Sequence, residues 1–238
     1  MILMMHTMMG AATVPPASGS AFDPSAFVFT IRVENDGDPF TWPHRPGGVY
    51  DATFDWGDGS SDHVTAEPGE HVYASAGDYD VSVTGACPAP ISASGSDWRA
   101  ALIAIKQWGQ LGGADNWSNG FSSLDHELSI QATDPFGAGV TNMQRMFQST
   151  TFTGDLSNWD VSSVDTMQQM FDNSTFTSDL SGWDVSSATQ MARMFYLAVS
   201  FDSDLTGWCV QHITSEPSGF ASGSALQPQH YPVWGTCP

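Results

Sequence analysis

The fold is specified by three consecutive segments: VTNMQRMFQSTTFTGDLSNWDVSS at 140–163, VDTMQQMFDNSTFTSDLSGWDVSS at 164–187 and ATQMARMFYLAVSFDSDLTGWCV at 188–210. They align as 24-residue repeats once a single inserted residue at 197–200 is allowed for. Three columns of the alignment are predicted to form the repeat core: Met143, Met167 and Met191; Phe147, Phe171 and Phe195; Trp159, Trp183 and Trp208. One such unit cannot bury its own apolar side chains, so neighbouring copies must stack into a continuous core.

The spacing of apolar residues within one repeat predicts its local structure. Met143, Met146 and Phe147 stand at positions i, i+3 and i+4, which is the spacing of one face of an α-helix. The stretch at 156–161 is predicted to be short and extended. Each repeat is therefore predicted to be one helix followed by one strand-like segment.

Alternating apolar residues predict β-strands in the first third of the chain. At 27–33 and at 50–56, apolar side chains recur at every second position, which is the period of a half-buried strand. The GDG triplet at 57–59 is a strong hairpin signal, and 71–73 and 79–83 supply two further strands. Strands separated by such turns are typical of a small β-sandwich.

Two parts of the chain resemble known families. The runs DWGDGSSDH at 55–63 and HVYASAGDYDVSVTG at 71–85 resemble a PKD-type, immunoglobulin-like domain. From Trp108 onward, the V-T-x-M-x-x-M-F and W-D-V-S motifs and the PVWGTCP ending resemble BspA-like leucine-rich surface proteins. The resemblances imply a PKD-like β-sandwich followed by an α/β leucine-rich-type solenoid of about three 24-residue repeats with terminal caps.

On this basis the chain divides into five segments: an N-terminal attachment segment at 1–20, a β-sandwich at 21–87, a connector with the N-terminal cap at 88–139, the repeats at 140–210 and a C-terminal cap at 211–238. The attachment segment is apolar from 2 to 12, is too short to span a bilayer, and has no Lys or Arg before its apolar stretch, as a signal peptide would. We expect it to contact another virion or surface protein.

The charge balance excludes some classes of partner. The chain has 26 acidic residues but only 6 Lys and Arg, for a formal charge of −20. So few cations cannot neutralise phosphates, which argues against nucleic acid and against anionic membranes. Neutral glycans, cationic patches and host-surface proteins remain as ligands.

Metal and catalytic motifs are not favoured by the sequence. Asp55, Asp58 and Asp62 cluster in one turn and are the candidate ligands for Ca²⁺, but the EF-hand spacing is absent and an Asp-Gly hairpin explains them as well. The seven His residues show no H-E-x-x-H motif, and no G-x-S-x-G motif occurs. We therefore expect no cofactor, no zinc and no nucleophile–base–acid grouping in a cleft.

The three cysteines predict one disulfide. Cys209 and Cys237 bracket the last segment, which a bridge between them would tie down, and Cys87 is left as a buried thiol. A structural disulfide indicates an oxidising compartment outside the cytosol.

These observations favour a non-enzymatic extracellular binding protein. A phage virion protein on a tail or capsid is the first hypothesis, because the N-terminus lacks the features of an export signal. A bacterial surface adhesin is the alternative, and a carbohydrate-active enzyme is a third. We expect binding through exposed polar residues between the repeats, such as Thr151, Thr153, Asn158 and Ser178.

Overall fold

The computed structural model describes residues 22–92 and 97–238, so the predicted attachment segment at 1–20 lies outside the described residues. Within those ranges the strands, in chain order, are β1 Phe27–Val33, β2 Pro39–Thr41, β3 Asp51–Asp55, β4 Ser61–Val64, β5 Glu70–Val72, β6 Gly77–Ala86, β7 Leu102–Gln107, β8 Leu128–Ile130 and β9 Phe152–Thr153. One short α-helix, α1, spans Asp97–Ala101, and one 3₁₀ turn spans Pro228–His230.

A single mixed sheet connects the first third of the chain to the repeats. Its strand order is β4-β3-β6-β1-β7-β8-β9, and β2 pairs separately with β5. The pairs from β4 to β7 are antiparallel, whereas β7–β8 and β8–β9 are parallel. The predicted hairpin at 57–59 joins β3 to β4, with Asp55 opposite Ser61.

The predicted fold class is wrong. The described part of the repeats, 140–210, contains no helix, so an α/β leucine-rich-type solenoid does not form. The sheet runs from the first third of the chain into the later part, because β7 pairs with β1 on one side and with β8 on the other.

Left-handed residues explain why each expected helix is replaced by tight turns. The Met146 N–H donates to the Met143 carbonyl at 3.2 Å, and Arg145, the third residue of that turn, has φ of 56°. Gln169 and Arg193 repeat this conformation in the next two copies, with φ of 58° and 56°. A left-handed residue cannot continue a right-handed helix and costs about 1–2 kcal/mol.

Backbone hydrogen bonds between successive segments replace those of a helix. The Met143 N–H donates to Thr166 O at 3.0 Å, and the Met167 N–H donates to Gln190 O at 2.9 Å. Equivalent bonds extend beyond the three repeats on both sides. We call each of the segments linked in this way a coil, and within 97–238 they are 115–139, 140–163, 164–187, 188–210 and 211–236.

The hydrophobic core is continuous from the first strands to the last coil. Phe27 of β1 packs edge-on against Trp117 of the first coil, with ring centroids 5.5 Å apart. The indole N–H of Trp98 donates to Gly120 O at 3.0 Å, and Arg45 donates to Ser118 O at 2.6 Å. The two parts of the chain therefore share one core. Among the described residues, no helix is long and apolar enough to cross a membrane.

Candidate functional site

A row of exposed polar side chains follows the extended part of each repeat. Buried and exposed residues alternate strictly along 175–180 and 200–205, and 151–156 differs only in its exposed Gly154. Thr151 and Thr175 are bridged as parallel neighbours. We define the strand-side face as the exposed residues of these stretches: Thr151, Thr153, Asp155, Thr175, Thr177, Asp179, Ser200, Asp202 and Asp204.

A column of phenyl rings supports the strand-side face from below. Phe152, Phe176 and Phe201 are each at most 3% exposed. Their ring centroids are 5.0 Å and 4.9 Å apart, with interplanar angles of 14° and 19°. Because the buried residues stack so closely, the exposed residues between them stand in register from one repeat to the next.

Serine hydroxyl groups join neighbouring coils beneath this face. Ser178 donates to Gly154 O at 2.8 Å and accepts from the Leu156 N–H at 3.3 Å. Ser178 is only 8% exposed, so the expectation that it lies on the surface is wrong. Gly154 has φ of 131°, and a Cβ there would lie 2.4 Å from Ile130 O, so this close approach requires glycine.

Hydrogen bonds lower the pKa of two carboxyl groups on the strand-side face, Asp179 and Asp204. The Ser181 backbone N–H and the Ser203 hydroxyl donate to Asp179 and lower the pKa of its carboxyl group. The hydroxyl and backbone N–H of Thr206 lower the pKa of Asp204 in the same way. Each is an Asx turn in which the carboxylate binds the N–H two residues later. The face is therefore anionic at neutral pH.

A histidine from the last coil contacts this acidic surface. His230 Nδ1 lies 2.8 Å from Asp202 Oδ1, with the two side chains 33% and 43% exposed. Of the other predicted surface residues, Thr151 and Thr153 are exposed, and exposed Asn158 donates to Thr133 O at 3.1 Å. Thus Thr151 and Thr153 are free to meet a ligand, whereas Asn158 is held by the backbone.

The three calcium candidates each bind a different local donor. Asp55 accepts from the Gly57 N–H at 3.0 Å, Asp58 from the Ser60 N–H at 2.9 Å, and Asp62 from the Trp56 indole N–H at 2.8 Å. Across 22–92 and 97–238, no group of three or more His, Cys, Asp or Glu side chains is arranged to hold a metal ion. The structure does not bring these carboxylates together around a common point.

Asp58 instead belongs to an aromatic cluster at the β3–β4 hairpin. Its carboxylate lies 2.9 Å from His71 Nε2, and the His71 ring stacks on Trp56 at 4.6 Å with an interplanar angle of 5°. Burial raises the pKa of Asp58, but hydrogen bonds from Ser60 and from His71 outweigh burial and lower it. Tyr73 donates to Trp56 O at 3.0 Å and completes the cluster.

A hydroxyl, an imidazole and a carboxylate also meet on the outer side of β3 and β4. Thr53 Oγ1 is 3.3 Å from His63 Nδ1, and His63 Nε2 is 3.3 Å from Asp51 Oδ1. The order is that of a catalytic triad. However, the imidazole and carboxylate side chains are 58% and 72% exposed, and Thr53 is exposed too. Catalysis of this kind works best in a site that excludes water, and these three side chains are open to solvent.

The side chains of the three repeat columns are buried, and aromatic rings in two of them stack from one repeat to the next. Phe147 stacks on Phe171 at 5.9 Å and Phe171 on Phe195 at 5.7 Å, with interplanar angles of 2° and 5°. Trp159 stacks on Trp183 at 6.2 Å. The methionine column and the remaining tryptophan are at most 1% exposed: Met143, Met167, Met191 and Trp208.

The cysteines occupy two different environments. Cys209 and Cys237 form a disulfide with Cα atoms 4.0 Å apart, which ties the residue after the fifth coil to the fourth coil. Cys87 is a free, fully buried thiol, and burial raises its pKa to about 12. A thiol with so high a pKa stays protonated and unreactive at neutral pH.

A cleft of about 340 Å³ opens between the fourth and fifth coils. Its polar walls include Gln168, Gln190 and Ser218, and Met191 and Ile213 line its apolar part. Unlike the strand-side face, this cleft was not predicted from the sequence, because one of its walls, 213–218, lies beyond the last recognisable repeat.

The first and fifth coils were not predicted from the sequence as copies of the repeat. In the first coil, Asn119 and Ser123 have φ of 58° and 53°. In the fifth, the corresponding residues Gly219 and Gly223 have φ of 65° and 77°. The detectable signal was the four-residue spacing of the two glycines around Phe220, which matches the spacing of the left-handed residues in the repeats.

Two family models match separate parts of the chain. Residues 11–96 match the PKD domain family model. The N-terminal part of the chain is PKD-like. Residues 118–234 match the model described as "Mycoplasma protein of unknown function, DUF285". No curated protein and no solved structure matches the chain.

The two matched regions correspond to the strands of the first third of the chain and to the coils. The PKD match covers β1 to β6 and gives this part an immunoglobulin-like character. The DUF285 match begins at 118, inside the first coil, and ends at 234, inside the fifth. Together the matches fit a surface or adhesion-type protein. The likeness of the repeats to BspA-like proteins stays a resemblance, since the matching model names no leucine-rich repeat.

Proposed function

We propose that this chain is a non-enzymatic binding protein that acts outside the cell and holds its ligand on the strand-side face. The proposal is supported by the separation of side chains at 151–155 and 175–179. Phenyl rings stack inside, and Thr and Asp side chains are exposed to solvent. Residues with no packing role that recur in register suit repeated contacts with an extended ligand.

The negative charge of the strand-side face determines which classes of ligand it can bind. Asp155, Asp179 and Asp204 are exposed, and hydrogen bonds hold the pKa of Asp179 and Asp204 below its ordinary value. Contacts to a neutral glycan or to a cationic patch on a host-surface protein fit this potential, and anionic ligands do not. Binding to a cationic patch should therefore weaken as the salt concentration rises.

The experiment compares two double variants of equal charge. Asp155→Asn with Asp179→Asn changes the strand-side face, and Asp165→Asn with Asp184→Asn removes the same charge elsewhere on the repeats. The labelled chain is titrated onto intact bacterial cells and onto an array of neutral glycans. We expect the first variant to bind at least tenfold more weakly and the second to bind as before. Equal behaviour of the two variants, or binding to neither probe, would refute the proposal.

Display on a phage particle is the finer form of this proposal, with display on a bacterial surface as its alternative. Both place the Cys209–Cys237 disulfide in oxidising surroundings. Immunogold labelling of producing cells and of particles purified from their lysate separates the two. Gold on particles supports the virion role, gold on the envelope supports the adhesin role, and a reduced chain in the cytosol contradicts both.

A further inference from the structure

Backbone pairing between the coils follows one rule at the start of each repeat. One residue at the start of each repeat lies beside an equivalent residue of the preceding coil. Its N–H donates to the carbonyl of the residue before that equivalent residue, and its carbonyl accepts from the N–H of the residue after it. Thus Gln190 donates to Asp165 O at 3.3 Å and accepts from the Met167 N–H at 2.9 Å. The same parallel bridge joins Asn116 to Asn142 and Asn142 to Thr166.

This rule fails at the next step, between the fourth and fifth coils. By the same pattern, a residue paired with Gln190 would donate to Thr189 O and accept from the Met191 N–H. Within the described residues, neither of these two backbone groups has a hydrogen-bond partner. Pairing resumes at Arg193, whose N–H donates to Ser218 O at 3.1 Å. The pairing slot at Gln190 is therefore open.

The open slot coincides with the cleft of about 340 Å³ described above. Thr189 and Met191 are both lining residues of the cleft, so the unpaired backbone groups belong to residues at its border. Glu216, with Ser215 and Pro217, lines the cleft from the fifth coil. The cleft thus offers a strand edge from the fourth coil and a carboxylate from the fifth.

We propose that this cleft binds an extended peptide segment of a partner protein, one residue of which pairs with Gln190 as the next parallel strand. A residue in an extended chain presents its N–H and C=O on the same side, which is what Thr189 O and the Met191 N–H require. A single sugar hydroxyl cannot reach both groups, whereas one peptide residue supplies the donor and the acceptor together. Glu216, in a chain of charge −20, selects a segment with a Lys or Arg side chain.

The proposal concerns a surface separate from the strand-side face, so each can fail without the other. The probe is a positional-scanning library of N-acetylated, C-amidated hexapeptides, titrated into the full, disulfide-bonded chain. We expect a basic peptide to bind with one-to-one stoichiometry. Methylating the backbone nitrogen of its pairing residue should weaken binding at least tenfold, about 1.4 kcal/mol.

Two variants locate the binding. Ser215→Trp fills the cleft from an exposed position, and Ser157→Trp is its control on an exposed residue away from the cleft. Ser215→Trp should abolish binding and Ser157→Trp should leave it unchanged. Glu216→Lys, which needs no repacking, should shift preference from basic to acidic peptides. Absence of any binder, a binder insensitive to Ser215→Trp and Glu216→Lys, or saccharide binding in place of peptide binding would overturn the proposal.

Discussion

Replacing two stacked tryptophans by phenylalanine should have unequal effects on stability. Trp183 and Trp159 are 3% and 4% exposed and stack on each other at 6.2 Å. The Trp183 indole N–H donates to Leu156 O at 2.9 Å. The Trp159 indole N–H is buried without a partner in the described part of the chain. The two side chains are therefore buried to a similar extent, and the main difference between them is the indole hydrogen bond of Trp183.

The magnitude follows from that difference. Either Trp→Phe change removes a similar apolar area, so the area cost largely cancels in the comparison. At Trp183 a net hydrogen-bond contribution of about 0.5–1.5 kcal/mol is lost as well. At Trp159 the change removes an unpaired buried donor, which would otherwise cost about 1–3 kcal/mol. Trp183→Phe should therefore lower the free energy of unfolding by at least about 1 kcal/mol more than Trp159→Phe.

Urea denaturation followed by far-UV circular dichroism measures both variants without relying on tryptophan fluorescence. The m-values should match that of the parent chain, so that a shifted midpoint reports stability alone. Trp183→Ala sets the scale, with an expected cost of roughly 3–5 kcal/mol. Equal costs for the two Phe variants, or a larger cost for Trp159→Phe, would show that the indole hydrogen bond does not stabilise the stack.

Three further predictions address the backbone, the disulfide and acid stability. Ser149→Gly should raise the free energy of unfolding by about 0.5–1 kcal/mol in urea titrations, because Ser149 has φ of 53° and glycine removes most of the left-handed cost. Cys209→Ser with Cys237→Ser should lower it by roughly 3–4 kcal/mol, the loop-entropy value for a separation of 28 residues, and a reductant should have the same effect on the parent. The pKa of Asp179 and of Asp204 is lowered below 3.8 in the folded chain, so their contribution is complete above that pH and is lost as the pH falls through the lowered values. Their double Asn variant should therefore lose less stability between pH 5 and pH 2, in the same titration, than the parent does.

Side-chain periodicity predicts the strand at 27–33 and the buried positions of the repeats, but not the turns that replace the expected helices. The alternation at 27–33 corresponds to β1, Phe27–Val33, although Val28 and Thr30 on its other face are buried as well. The spacing of Met143, Met146 and Phe147 identifies three fully buried side chains. Two successive turns and one helical turn place residues i, i+3 and i+4 on the same side, so the pattern alone does not distinguish them.

What the sequence conceals is the left-handed conformation of ordinary residues. Arg145, Gln169 and Arg193 lie in a region that glycine usually occupies, and nothing in their chemistry predicts it. The strain is offset by the bonds it permits, since the Arg145 N–H donates to Gln168 O at 3.0 Å in the next coil. Local propensity is overruled by contacts with a neighbouring repeat, which a single-repeat analysis does not contain.

The same backbone pairing explains why the strand-side face is free to vary. Its main chain bonds to the adjacent coil at Thr175, and serine hydroxyl groups link the coils at Ser178 and Ser203. The phenyl rings of Phe152, Phe176 and Phe201 stack beneath it. In the fourth coil the Thr-x-Thr pair of the earlier repeats becomes Ser200 and Asp202, while the buried phenylalanine between them is kept. A surface that changes over an unchanged core is what a binding protein needs, because its ligand contacts can be altered without loss of the fold.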